Sequence, residues 1–301
     1  MNEAMNTRSG FVAMLGATNA GKSTLVNRLV GTKVSIVSHK VQTTRALIRG
    51  IVTEGVTQMI LVDSPGIFTP KRRLDRAMIS TAWQGAGDAD IILFIVDAER
   101  GFSGDAKSIL ESLKDKKQRM VLVLNKVDRL DPPRLLDLAK EAADGTKFER
   151  TFMISALNGS GCADLLKWLA DALPDGPWYY PDDQVSDFPM RSLAAEITRE
   201  KLFERLHQEL PYASHVETEK WEEMKNGDVR IQQVIYVQRE SQKKIVLGHQ
   251  GATIKAIGQS SRMEIAGILD QKVHLFLFVK VRENWGDDPE RYREMGLNFG
   301  S

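Results

Sequence analysis

One cysteine, Cys162, occurs in 301 residues, so no internal disulfide can form and a reducing compartment is expected. It follows Gly161, where a helix is expected to start, and reads as a modestly buried thiol. No apolar run is long enough to cross a bilayer. Met1 to Gly10 is polar and lacks the apolar core of a secretory signal. A cytosolic protein is the expectation on both counts. Charge of one sign is lacking too: 41 Lys and Arg stand against 40 Asp and Glu, a net charge of +1. That excludes strong, charge-driven adhesion to nucleic acid over the whole surface and leaves only local patches. Aromatic residues make up 7% of the chain and hydrophobic residues 42%, ordinary for a soluble globular protein. The length suffices for two domains.

What is present is sharper. Gly16-Ala17-Thr18-Asn19-Ala20-Gly21-Lys22-Ser23 has the form G-x-x-x-x-G-K-S, a phosphate-binding P-loop. The apolar run Phe11–Leu15 before it reads as a strand, and the stretch from Thr24 to Val30 after it reads as a helix. That strand–loop–helix context is what the motif requires. Glycines let the backbone wrap around phosphate oxygens with successive N–H groups pointing inward, and the helix N-terminus adds positive charge. Lys22 can reach the outer phosphates and Ser23 can ligate magnesium.

Three further short motifs follow apolar runs. Met59 to Val62 leads into Asp63-Ser64-Pro65-Gly66, a D-x-x-G in which Asp63 can hold magnesium through water and Gly66 can offer its N–H to a terminal phosphate. Met120 to Leu124 leads into Asn125-Lys126-Val127-Asp128, or N-K-x-D. A carboxylate at Asp128 can accept two hydrogen bonds from the N1–H and exocyclic amine of guanine. Adenine lacks that donor pair and would leave the charge unpaired. The Lys126 stem can lie along the base. Phe152 to Ile154 leads into Ser155-Ala156, a loop that can back the base. Four motifs in this order, each at the C-terminal end of an apolar run, fit the ligand-binding edge of a doubly wound sheet.

The organisation agrees. From Phe11 to Leu173 strand-like runs alternate with helix-like stretches, which predicts an α/β domain over residues 10–173, mostly parallel, with helices on both faces. Residues 1–9 are expected to be a flexible N-terminus. Two long loops, Gly31 to Arg45 and Pro65 to Arg73, flank the phosphate site. Residues 174–191 begin with a stretch rich in Pro, Gly and Asp and read as a linker, whose Trp178, Tyr179 and Tyr180 are expected to pack on a domain surface.

Residues 192–301 form a second expected domain, of α+β type. Ala194, Ile197, Leu202, Leu206 and Leu210 share a helical face, Val229–Val237 and Val273–Val281 read as strands, Lys244–Leu247 as strand-like, and Ile254, Ile257, Ile265 and Ile268 as a helix. Between Leu247 and Thr253 lies Gly248-His249-Gln250-Gly251, a G-x-x-G loop. KH domains use such a loop to clamp single-stranded RNA. Lys243, Lys244 and Lys255 can neutralise phosphates, and Ile254 and Ile257 can line a groove for bases. On the residues alone, a tight turn into a helix remains an alternative.

The motif order is that of the translation-factor-like GTPases, and Gln42-Thr43-Thr44-Arg45 resembles the Q-T-T-R switch I sequence of the Era family. Arg199–Leu202 (R-E-K-L), Glu209–Tyr212 (E-L-P-Y) and Val279–Trp285 (V-K-V…W) resemble the type II KH segment with which that family ends. The resemblance runs from about Phe11 onward. It implies a GTPase using GTP or GDP and magnesium, with a cradle from Gly16 to Thr24, Thr44 closing on magnesium and the terminal phosphate, and metal ligands Ser23, Thr44 and Asp63. It also implies as partners the 3′ end of small-subunit ribosomal RNA and the 30S subunit, a role in ribosome assembly, and peripheral association with the inner face of the cell membrane. No coiled-coil pattern is present, and a monomer is expected. Ala17-Thr18, Ser64 and Ser155-Ala156-Leu157 depart from the commoner Arg-Pro, Thr and S-A-K.

Many GTPases place a glutamine after D-x-x-G to orient the attacking water. Here that residue is Ile67, so slow hydrolysis is expected. Related GTPases with asparagine at the Asn19 position use it to hold potassium. Capping of local backbone is the other reading of Asn19. The alternative to a switch is an RNA-binding protein whose nucleotide site is structural or vestigial. A metabolic P-loop enzyme would have no need of N-K-x-D.

Overall fold

A computed structural model of the chain describes residues 7–40, 42–143, 146–283, 285 and 289–297. Two compact units result: the second consists of Ile36–Thr43 and Phe188–Glu294, and the first of the other described residues.

The first unit runs β1 (Arg8–Leu15), α1 (Lys22–Val30), β2 (Ile48–Glu54), β3 (Thr57–Asp63), α2 (Arg73–Gly87), β4 (Ile91–Asp97), α3 (Asp105–Leu113), β5 (Arg119–Asn125), α4 (Pro132–Ala143), β6 (Arg150–Ile154) and α5 (Cys162–Ala172). The six strands form one sheet in the order β2-β3-β1-β4-β5-β6. Only β2 is antiparallel to its neighbour. The central strands are apolar runs because both faces are covered. Their side chains divide with period two. Val12, Met14, Leu61, Leu93, Ile95 and Val123 pack with Leu25 and Val26 of α1 and Leu165 and Leu169 of α5. Ala13, Leu15, Phe94, Val96 and Leu122 pack with Ala82 of α2, Ile109 of α3 and Leu138 of α4. Strand order reverses at β1, so a crevice opens beyond the carboxyl ends of the strands, where all four motifs lie.

Arg8 and Ser9 correct the expected flexible start: they are the first residues of β1 and pair with Thr57 and Gln58. Residues 1–6 lie outside the described residues. The linker aromatics pack on the first unit as expected. Trp178 Nε1 donates to the Val56 carbonyl at 3.0 Å, and Gln58 Oε1 accepts from the N–H groups of Tyr179 (2.9 Å) and Tyr180 (3.0 Å). The second unit begins at Phe188 rather than at the expected 192, its first helix at Met190, and Met295–Leu297 group with the first unit rather than with the second.

The second unit runs α6 (Met190–Arg205), β7 (His215–Glu223), β8 (Val229–Val237), α7 (Glu240–Leu247), α8 (Ala252–Leu269), β9 (Val273–Val281) and α9 (Pro289–Glu294). Its mixed sheet has the order β7-β8-β9, antiparallel then parallel. Lys244–Leu247 is a correction, being the last turn of α7 rather than strand-like. Its apolar run, Ile245–Leu247, is only three residues long and too short to distinguish the two periods. β7 escaped notice because Glu217, Glu219, Lys220, Glu222 and Glu223 swamp its apolar alternation. Leu202, Leu206, Val246 and Ile257 close one part of the core over Ile235 and Val237. Ile257 is thereby a core residue with no exposure, not a groove residue.

Ile36–Thr43 joins this unit although it lies between α1 and β2 in the chain. Ile36 packs with Leu193, Ile197 and Val229. The Val37 N–H donates to Glu200 Oε1 at 2.7 Å. Arg199 donates to the Thr43 carbonyl, and Lys40 to the carbonyls of Phe203 and Leu206. Among the described residues no helix is long and apolar enough to cross a membrane.

Candidate functional site

The loop from Gly16 to Gly21 leaves β1 and enters α1, so its N–H groups gather at the helix N-terminus. Gly21 has φ +96° and a Cβ there would lie 2.2 Å from Asn125 Nδ2, so only glycine fits. Asn19 is also left-handed, at φ 64°. Lys22 is buried and its Nζ donates to the Gly16 and Ala17 carbonyls at 3.1 and 3.0 Å. Burial pushes its pKa down to about 8, and the nearby Asp63 carboxylate opposes this in part.

Asp63 closes β3 with no exposure. Its Oδ2 accepts from Ser35 Oγ at 2.7 Å. Its Oδ1 is buried without a hydrogen-bond partner. Burial pushes this carboxyl above the usual range, against hydrogen bonds from Ser23 and Ser35 and the charge of Lys22. Ser23 Oγ and Thr44 Oγ1 lie 2.9 Å apart. Two hydroxyls beside an orphaned carboxylate oxygen are the hard oxygen donors that magnesium takes. Ser23, Thr44 and Asp63 therefore fit the ion, directly or through water. Ser64 Oγ bonds back to the Met14 carbonyl at 2.7 Å, and a Cβ on Gly66 would lie 2.9 Å from Thr18 Cα, so the D-x-x-G turn sits against the P-loop. Pro65, within that turn, is buried. Ile67 donates its N–H to the Gly16 carbonyl at 3.1 Å and its side chain is in the core. Thr24 follows in the first turn of α1.

The base side is organised around Asn125. Its Nδ2 donates to the Ala20 carbonyl at 2.8 Å, and its Oδ1 accepts from the N–H groups of Lys126 and Ala156, both at 2.9 Å. Lys126 is left-handed, at φ 68°. Its Nζ pairs with Asp97 Oδ2 at 2.6 Å. Asp128 is exposed in the following turn, free to face a base edge. Ser155 is buried, and its N–H donates to the Ser160 carbonyl at 2.9 Å.

Three contributors were missed from the sequence. Asp97 anchors Lys126, and its position at the carboxyl end of β4, level with the other motifs, was the available signal. Ser35 bonds Asp63 from a loop with no pattern. Arg28 donates from α1 to the carbonyls of Ala156 (3.2 Å) and Leu157, bracing the loop from which the usual lysine is missing.

In the second unit Gly248 has φ +72°, and a Cβ there would lie 2.2 Å from Thr253 Oγ1. His249 and Gln250 are exposed at the tip, and Gly251 caps α8. Lys243 and Lys244 lie on α7, before the loop. A groove of about 470 Å³ follows, lined by Ile254, Lys255, Gly258, Gln259 and Arg262 of α8 and residues 275–278 of β9. Arg262 and the β9 residues extend the predicted set.

Residues 11–126 match the family described as 50S ribosome-binding GTPase, and residues 209–286 match the KH domain. GTPase Era of Brucella suis biovar 1 (strain 1330) is 73% identical over 297 residues, covering 99% of this chain and 96% of that protein. The chain belongs to the Era family of GTPases. GTPase Era of Mesorhizobium japonicum is 71% identical, again over 99% of this chain and 96% of its own length. Two Era crystal structures, each 36% identical, match with a TM-score of 0.91 over 96% of this chain and 99% of theirs. One is in complex with MgGDPNP and nucleotides 1506–1542 of 16S ribosomal RNA, and the other, a variant from Aquifex aeolicus, is bound to GDP and aluminium fluoride. The expected P-loop GTPase domain followed by a KH domain is what the chain has.

The lowered pKa of Lys22 has a definite sign. Below about pH 8 the folded, nucleotide-free protein buries a charged ammonium, which opposes folding, and this is relieved as pH rises toward the ordinary lysine range. Phosphate oxygens favour the ammonium and raise the pKa. In a ¹³Cε-lysine NMR titration, one resonance is expected to titrate near pH 8 without nucleotide, to vanish in Lys22→Arg, and to shift upward with GDP. Titration of every lysine at its ordinary pH would contradict the burial argument.

Proposed function

We propose that this chain is a guanine-nucleotide switch that binds GTP with magnesium, hydrolyses it slowly to GDP and phosphate, and couples that cycle to a grip on the 3′ end of small-subunit ribosomal RNA during 30S assembly. One observation carries the coupling. Ser35 and Thr44 bound the segment that packs in the RNA unit, and each is hydrogen-bonded to a magnesium-ligand candidate, Asp63 and Ser23. A terminal phosphate and its ion change what those two residues bond, and Ile36–Thr43 is tied to both ends of that change.

In this reading Lys22 exchanges two backbone carbonyls for phosphate oxygens. The Gly66 N–H meets the terminal phosphate, and Asp128 reads guanine. Magnesium, when bound, neutralises charge developing on the transferred phosphoryl group. Ile67 has no polar atom on its side chain and is buried, so nothing at that position orients water. We assign Asn19 to hold a potassium ion that supplies the missing positive charge. The RNA strand lies along the G-x-x-G groove, with its phosphates at the N-terminus of α8 and its bases against Ile254. A cytoplasmic monomer with at most peripheral contact with the inner face of the cell membrane is part of the reading.

Asp128→Asn replaces a paired acceptor by a donor and an acceptor. It is expected to weaken GDP binding by roughly 100-fold and to shift preference toward xanthosine diphosphate, by competition binding. Unchanged guanine preference would exclude Asp128 as the base reader. GTP turnover is expected to be faster in potassium than in sodium, and Asn19→Ala is expected to remove that difference. Equal rates in all four conditions would exclude the cation. A vestigial nucleotide site predicts RNA affinity that is the same with GDP and with a non-hydrolysable GTP analogue.

A further inference from the structure

We propose that the RNA path continues out of the G-x-x-G groove onto the open face of the second unit's sheet, where Phe276 and Phe278 stack the next bases. This deepens the RNA reading above and rests on it.

β9 is an edge strand. Leu275, Leu277, Val279 and Val281 pack against the helix-covered core. Phe276 and Phe278 alternate with them and so point to the other face. They are 44% and 49% exposed, the only described phenylalanines so open. Arg230 of β8 places its guanidinium 5.2 Å from the centre of the Phe276 ring. The same β9 segment lines the groove from its other side. The free edge of β9 is thus the rim between the groove and the open face, and a strand leaving the groove over this rim meets the two rings.

Two bare phenylalanines on an edge strand are an association hazard that proteins ordinarily blunt with charge or proline. Spaced by one residue and flanked by a stacked arginine, they have the composition of a single-strand platform. Every base offers a π-face to an aromatic ring, and arginine adds charge for the backbone. Charge also sets the direction. β7 carries Glu217, Glu219, Glu222 and Glu223, and Glu219 engages Lys280 at 2.8 Å. Phosphates are repelled from β7, so the path follows β9 rather than crossing the sheet.

The test uses the full chain and a Phe276→Ala/Phe278→Ala double variant, with fluorescence anisotropy on three RNAs. One is a segment of about five nucleotides that fills the groove; the others extend it by about five on the 5′ or the 3′ side. Because Phe276 and Phe278 also border the groove, the variant is expected to lose roughly tenfold or more on one extended RNA beyond whatever it loses on the short one. Phe276→Trp, which keeps a ring, is expected to retain that affinity. Unchanged affinity for both extended RNAs overturns the proposal. An equal loss on all three also overturns it, because the rings then only support the groove. Failure of the unaltered protein to bind the short RNA overturns the RNA reading itself, and this proposal with it.

Discussion

The side-chain amide of Asn125 ties the phosphate cradle to the base pocket. It is almost fully buried at the end of β5, and its three hydrogen bonds go to the P-loop, to the N-K-x-D turn and to the base loop. Each is worth about 1 kcal/mol net, and leaving any of the partners buried and unpaired costs more. Gly21 must be glycine to make room for it. Lys126 must turn left-handed beside it, a strain of the order of 1 kcal/mol offset by its N–H bond to Asn125 and its ion pair with Asp97. Phosphate cradle and base pocket are thereby one object.

Beside that rigid frame lies a second constraint, one of charge. Lys22 and Asp63 are buried with incomplete partners: the lysine holds backbone carbonyls, and one carboxylate oxygen holds nothing. Both are driven toward their neutral forms. Phosphates and a divalent ion satisfy both at once, so the site is electrostatically complementary to a metal nucleotide and strained without it. Ser35 and Thr44 share this corner, and they bound Ile36–Thr43, whose packing belongs to the second unit.

The first unit was legible because its signals are contiguous. Each apolar run ends in a short motif, and buried parallel strands need no alternation to be recognised. The G-x-x-G loop was legible for the same reason. What escaped depends on pairing across the chain. Asp97 and Arg28 act on loops far along the chain; only the place of Asp97 at the end of an apolar run marks it, and nothing local marks Arg28. β7 hides behind charged residues that face solvent, and Lys244–Leu247 is too short for its period to show. Ile257 and Ile254 share a helix, yet one is core and the other lines the groove, which only the position of β9 decides. Ile36–Thr43 could not have been assigned to the second unit from composition, because its allegiance rests on Arg199 and Glu200, far along the chain.

The claim that one carboxamide unites the two halves of the site is tested most directly by Asn125→Ala, with GDP and inorganic pyrophosphate as ligands. Pyrophosphate touches no base pocket. The account predicts that GDP binding falls roughly 100-fold and that pyrophosphate binding falls with it, by about tenfold or more, because the Ala20 carbonyl and the loop behind Gly21 lose their tether. Loss of GDP affinity with pyrophosphate affinity unchanged would contradict it, and would leave Asn125 as a part of the base pocket alone.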